Sequence, residues 1–206
     1  MGKYKDCQLW FPSPSQVKTS TEKSRDSDSY VRKLYVITKV YKCNMIVSNA
    51  STLILLAKVS VIRKFLDEYG EITIPNEVEK EITEGNTFDS KILGKEIEDK
   101  HIIVKAIKSN TSKILKEFRM HKGEAEAYIL YNEYHAKAIL TDDGELIKLC
   151  KLFEIPFINA LSIITRMFEK GVLTQAEACE YLQKLNDYGR YSKEVYNYFK
   201  QEVNCP

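Results

Sequence analysis

Five short aliphatic runs constrain this chain more than any other feature: MIVS at 45–48, EITIP at 71–75, HIIVKAI at 101–107, AIL at 138–140 and IPFI at 155–158. Between them lie stretches whose apolar residues recur at helical spacing. Neighbouring parallel strands need a long crossover, usually a helix, so repeated strand–helix–strand units imply a parallel sheet with helices on both faces. The expected fold class is α/β. TLILLAKVSVIRKFLDEYG reads as one helix stopped by Gly70. Asn76 with Glu79 has the spacing of a capping box that opens VEKEITEG. FDSKILGKEIEDK reads as helical, and a further helix starts near Gly123. Asp142 to Glu145 would cap a helix through KLCKLFE. After IPFI the chain reads as helical throughout: ALSIITRMFEKG, then TQAEACEYLQKLND opened by a capping box from Thr174 to Glu177, then SKEVYNYFKQE.

The formal charge of +2 over 206 residues hides an asymmetry. Residues 1–44 hold nine Lys or Arg against four acids, whereas 45–206 hold 22 against 25. The front segment is rich in Ser and Thr, with Pro12 and Pro14 among them, and cannot build a core of its own. It reads as a poorly ordered basic appendage: an upstream start assigned by mistake or, alternatively, an arm that touches nucleic acid. Residues 45–170 read as the main domain and 171–206 as a helical extension packed on it. Cys7, Cys43, Cys150, Cys179 and Cys205 show no C-x-x-C pairing and share no ligand spacing with His101, His121 or His135, so neither a zinc site nor a disulfide framework is expected. The longest apolar stretch, LILLAKVSVI, is too short for a bilayer, and no signal peptide opens the chain. A soluble protein of the reducing cytoplasm is the expectation.

In parallel sheets ligands gather at the carboxyl edge of the strands. That rule selects SNAS at 48–51, the Pro75 turn with the helix bearing Glu81, and TDD at 141–143; GEAE at 123–126 adds Glu124 and Glu126. Oxygen-only ligands of this kind favour Mg²⁺ or Mn²⁺ over zinc. A cluster holding one or two such ions can activate water and stabilise the leaving oxygen in phosphodiester cleavage. Each residue also has a structural role open to it. Asp142 can cap a helix, Glu124 and Glu126 suit a positive helix N-terminus, Glu81 can be a solvated residue of EVEKE, and Asn49 can bond a turn.

No G-x-x-x-x-G-K-[ST] loop, G-x-G-x-x-G turn or G-x-S-x-G elbow occurs, which sets aside nucleotide-dependent enzymes and serine hydrolases. The late tyrosines Tyr181, Tyr188, Tyr191, Tyr196 and Tyr198, interleaved with Lys184, Arg190, Lys193 and Lys200, suit either base stacking with phosphate contacts or the packing of terminal helices. Helix packing is the reading preferred here.

The series VSNASTLI, IPNEVEKEI, GEAEAYIL and AILTDD, in that order over about residues 45–170, resembles the PIN-domain family, in particular its VapC-like branch; LTQAEACEYLQKL is similar to that branch as well. The resemblance implies a three-layer fold with a central parallel sheet flanked by helices, plus C-terminal helices, and a metal-dependent nuclease acting on RNA. Carried over residue by residue, it implies that Asn49, Glu81, Glu126 and Asp143 occupy the acidic positions around Mg²⁺ or Mn²⁺, with Glu124 and Asp142 as neighbours that share in metal binding. Ser51 and Thr141 would position substrate. It further implies an RNA substrate, a small antitoxin protein as partner, and a homodimer away from any membrane. Asn49 departs from the pattern, because its amide oxygen brings no charge to the ion. The competing expectation is therefore a PIN-like nucleic-acid or protein binding module with weakened catalysis.

Overall fold

The computed structural model describes residues 45–206, so the expectations for residues 1–44 lie outside the described residues. Five parallel strands form one sheet: β1 (Ile46–Ser48), β2 (Ile72–Pro75), β3 (Ile102–Lys105), β4 (Ala138–Leu140) and β5 (Phe157–Ile158), in the order β3-β2-β1-β4-β5. The expected α/β architecture with flanking and C-terminal helices is what forms. Helices α1 (Ala50–Lys58), α2 (Ile62–Tyr69), α3 (Asn76–Thr83), α4 (Phe88–Glu98), α5 (Ser112–Glu117), α6 (Lys122–Tyr134), α7 (Gly144–Leu152), α8 (Ala160–Glu169), α9 (Gln175–Tyr188) and α10 (Lys193–Glu202) fill the connections and the C-terminal part.

The period of two along the strands sorts side chains into two cores. Ile46, Ile72, Ile74, Ala138 and Leu140 join a cluster with residues of α1, α2, α8, α9 and α10. Val47 and Ile139 point the other way, against Ala127 and Leu130 of α6 and Leu146 and Leu149 of α7. The C-terminal helices are part of the larger core: Leu182, Leu185 and Phe199 are each no more than 2% exposed.

Local chemistry departs from expectation in five places. TLILLAKVSVIRKFLDEYG forms two helices, not one, because Ser60 takes a left-handed φ of 60°. The break is a Schellman turn, with the Val61 N–H bonded to the Leu56 carbonyl at 2.9 Å and the Ser60 N–H to Ala57 at 2.9 Å. Val59, Val61 and Ile62 favour this stop, since β-branched side chains fit a helix poorly, and both valines are buried at the turn. The Asn76–Glu79 capping box does not form: Pro75 is the N-cap, and Asn76 is already helical. The cap of α7 is Asp143 and not Asp142; Asp143 Oδ1 accepts from the N–H groups of Glu145 and Leu146 at 2.9 and 2.8 Å. The short helix α5 has no buried residue and thus left no apolar signature. The capping box from Thr174 to Glu177 is present.

The fifth difference corrects the reading of the cysteines. Cys179 and Cys205 form a disulfide across 26 residues, because α9 and the turn after α10 pack side by side and bring their Cα atoms to 5.6 Å. Cys150 is free and buried, and its surroundings push the thiol up to about 12, which leaves it inert as a nucleophile. No helix among the described residues is long and apolar enough to cross a membrane.

Candidate active site

The sheet order places the topological switch between β1 and β4. From β1 the chain runs outward through β2 and β3, then crosses back to β4 on the other side. The carboxyl ends of β1 and β4 lie side by side, with Ser48 opposite Leu140, and Asn49 N–H bonds the Leu140 carbonyl at 3.1 Å. Diverging loops leave a crevice at such a point. Asn49, Ser51, Thr141, Asp142 and Asp143 are all delivered to it.

Hydrogen bonds fix these loops to each other. Ser51 Oγ donates to Asn49 Oδ1 at 2.7 Å and accepts from the Asp142 N–H at 2.9 Å, bridging the two strand ends. Thr141, fully buried, accepts from the Asp143 N–H at 3.0 Å. Asn49 is 2% exposed and stands at the N-cap of α1 without using its side chain as a cap. Asp142 turns away into the protein. Its carboxylate accepts from Thr52 Oγ1 at 2.6 Å, from the Ala160 N–H at the start of α8 at 3.0 Å, and from the Tyr191 hydroxyl. Burial raises its pKa, and the bonds from Thr52, Tyr191 and Ala160 act against that. Asp142 thus serves a helix N-terminus, though that of α8 and not of the helix it precedes.

Glu81 on α3 and Glu124 in the first turn of α6 line a cleft together, and the charge of Asp143 reaches both. Burial raises the Glu81 carboxyl, with the charges of Asp143 and Glu77 adding to it and His121 opposing. Burial likewise raises Glu124, followed by the charge of Asp143, while Glu81 contributes a smaller push in the same direction. Three carboxyl groups therefore feel one another. Glu124 is 9% exposed and its Oε2 is buried with no hydrogen-bond partner. A Cβ added at Gly123 would meet Glu81 Oε2 at 3.0 Å, so the missing side chain lets Glu81 lie over the N-terminus of α6. Glu77, Glu81, His121, Lys122, Gly123 and Glu124 wall a cleft of about 850 Å³.

Glu126 goes elsewhere. Its Oε2 accepts from the Glu77 N–H at 3.0 Å, and its Oε1 lies 3.7 Å from Lys122 Nζ. Pro75 at the N-cap of α3 has no side chain able to accept a hydrogen bond, so Glu126 supplies the missing cap from a neighbouring helix. Truncating Glu126 to Ala is expected to cost about 1 kcal/mol of stability, the usual worth of an N-cap. Urea unfolding measures it, and Glu126→Gln, which keeps an acceptor oxygen, recovers most of the loss.

Sequence reasoning passed over His121, Lys122 and Gly123. Lys122 Nζ pairs with Glu77 Oε2 at 2.6 Å, which holds the first turn of α6 against α3. The signal available was Gly123 immediately before Glu124, a residue without a side chain at a helix start that another element must approach.

The donor set suits a hard divalent cation: all oxygens, one of them orphaned in a buried carboxylate, and mutual repulsion that a cation would relieve. No three His, Cys, Asp or Glu side chains among the described residues stand close enough together to hold an ion as placed. The residue types fit the ion chemically, but as placed they do not converge on one point.

Comparison with known proteins agrees with this architecture. A search of curated proteins finds no match to the chain. A family model described as DUF3368, PIN domain, matches residues 45–205. A five-stranded parallel sheet ordered 3-2-1-4-5 thus coincides with a family match over most of the sequence, and the chain belongs to the PIN-domain family.

Proposed function

We propose that the chain is a divalent-cation-dependent endoribonuclease. The observation that carries the reading is the orphaned, buried Oε2 of Glu124, which shares a cleft with Glu81 and whose carboxyl is pushed up by the charges of Asp143 and Glu81. Glu81, Glu124 and Asp143 would hold Mg²⁺ or Mn²⁺, with the Asn49 amide oxygen aimed at bound water or phosphate. When bound, such an ion activates water toward a phosphodiester and stabilises the leaving oxygen. The chain's own contribution is to hold the carboxylates in a partly dry cleft, fix the strand-end loops through Ser51 and Thr141, and set Lys122, paired with Glu77, at the rim, where a cationic group attracts the RNA backbone. The reading leaves out Glu126, whose carboxylate accepts from the Glu77 N–H, and Asp142, whose carboxylate is engaged by Thr52, Ala160 and Tyr191.

The VapC-like character of VSNASTLI and LTQAEACEYLQKL supports a toxin role, with a small antitoxin protein as partner and a homodimer. Copurification of a small tagged protein encoded beside this chain tests the pairing.

One observation favours the second reading, a binding module with weakened catalysis. Asn49 brings no charge to a site where, among the described residues, no three His, Cys, Asp or Glu side chains converge as placed. Asn49→Asp separates the two. Ser51 can donate to a carboxylate as it does to the amide, so the fold tolerates the change. Under the nuclease reading, Mn²⁺ binds more tightly and cleavage of labelled single-stranded RNA is equal or faster. Unchanged affinity for Mn²⁺ in calorimetry places residue 49 outside the site.

A further inference from the structure

A second concavity of about 630 Å³ has Asp143 in its wall and is roofed by the turn between α9 and α10. Its walls include Leu55, Ile147 and Phe157, an apolar lining suited to a flat ring. At its mouth stands Tyr188, 57% exposed, a large aromatic side chain left in water beside a groove. Arg190 is exposed on the same turn and makes no ion pair among those found in the described residues. Lys58 Nζ lies 6.0 Å from the centre of the Tyr188 ring. An exposed aromatic flanked by two cations is the arrangement that binds single strands: the ring stacks a base and the cations hold phosphates.

The turn is fixed before any ligand arrives. Tyr191 donates its hydroxyl to Asp142 Oδ1, and Asp142 is itself held by Thr52 and Ala160. A Cβ on Gly189 would meet the Leu185 carbonyl oxygen at 2.8 Å and collide with the Tyr191 ring. Glycine is therefore what lets Tyr191 fold back onto the turn. Asp142, next in sequence to Asp143, ties the roof of the groove to the loop that carries an acid of the active site.

We propose that this groove binds one nucleotide of single-stranded RNA beside the scissile bond, with Tyr188 stacking on the base and Arg190 and Lys58 holding backbone phosphates. The inference rests on the nuclease reading and adds to it where the strand leaves the cleft. It assigns Tyr191 as a positioning residue that aims the turn.

The test is fluorescence anisotropy of a labelled oligouridine with the full-length chain in EDTA, where no cleavage occurs. Tyr188→Ala raises Kd about tenfold, the loss of one stacked base, while Tyr188→Phe stays within about twofold of wild type. Arg190→Ala weakens binding and lowers the slope of log K against log salt by about 0.7. If the wild-type chain binds and both alanine variants bind equally well, the groove assignment is overturned and the nuclease reading stands. If the wild-type chain binds no RNA, the nuclease reading falls and the groove assignment with it. A dimer that sediments as a monomer after Tyr188→Ala, with RNA affinity unchanged, gives the groove to a second copy and overturns the proposal.

Discussion

Asp143→Asn eliminates divalent-cation-dependent RNA cleavage, with a loss of more than about a hundredfold, the scale on which one charge-stabilising group at a reacting centre counts. The fold stays intact. Asp143 has two tasks: its Oδ1 caps α7 through Glu145 and Leu146, and its charge faces Glu81 and Glu124. Asn and Asp are equally good N-caps, so the substitution preserves the first task and removes only the charge. Asp143→Ala removes both, and melts lower by about 2–4 °C for the roughly 1 kcal/mol that a cap is worth. Cleavage of a labelled single strand in Mn²⁺, read beside a thermal melt of the same preparations, separates them. Undiminished cleavage by Asp143→Asn removes this residue from the mechanism.

Glu124→Gln moves stability in opposite directions with and without metal. In EDTA at neutral pH the variant melts above wild type, by about 2–4 °C for a gain on the order of 1 kcal/mol, because a carboxylate with one buried oxygen left unpartnered gives way to an uncharged amide. The sign follows from the raised carboxyl. A group that holds its proton more tightly in the folded state stabilises the fold below the ordinary glutamate value of 4.5, and that contribution is lost as pH rises through the folded value. Glu81 acts in the same direction. The cation-free protein therefore loses stability from these two groups above about pH 4.5, and Glu124→Gln removes its share of the loss. A bound cation selects the ionised form, so saturating Mn²⁺ raises the wild-type melting temperature; a concentration a hundredfold above Kd is worth about 2.7 kcal/mol. The Gln variant forfeits most of that gain. Melting curves from pH 4 to pH 8, with EDTA or Mn²⁺, give both effects, and identical curves for the two proteins contradict the placement of Glu124.

The parallel strands were legible because EITIP, HIIVKAI and AIL are apolar runs bounded by helical periodicity; the carboxyl-edge rule pointed to the segments after them, and the family resemblance proposed Asn49, Glu81 and Asp143 within those segments, while the strand order was not legible. The choice between Glu124 and Glu126 was not legible. Two residues apart on a helix they differ by about 200° around the axis, so only one can face the cleft. The proposal takes Glu124, because the Glu77 N–H at the start of α3 engages Glu126 where Pro75 offers no cap. Neighbouring aspartates hid the same kind of decision: Asp142 and Asp143 both cap helices, but only Asp143 caps the one that follows it. The Tyr191–Asp142 bond spans 49 residues and the Cys179–Cys205 pair 26. Neither carries a spacing signal, since both depend on how α9 and α10 lie against the domain.

The most direct measurement is a calorimetric titration of the full-length chain with Mn²⁺, comparing wild type with Glu81→Gln, Glu124→Gln and Glu126→Gln. The account predicts saturable binding that is lost or severely weakened in the first two variants and retained in the third, whose amide oxygen still accepts from Glu77. Binding that survives Glu124→Gln and disappears in Glu126→Gln, or a wild-type chain that takes up no ion at all, contradicts the site as built here.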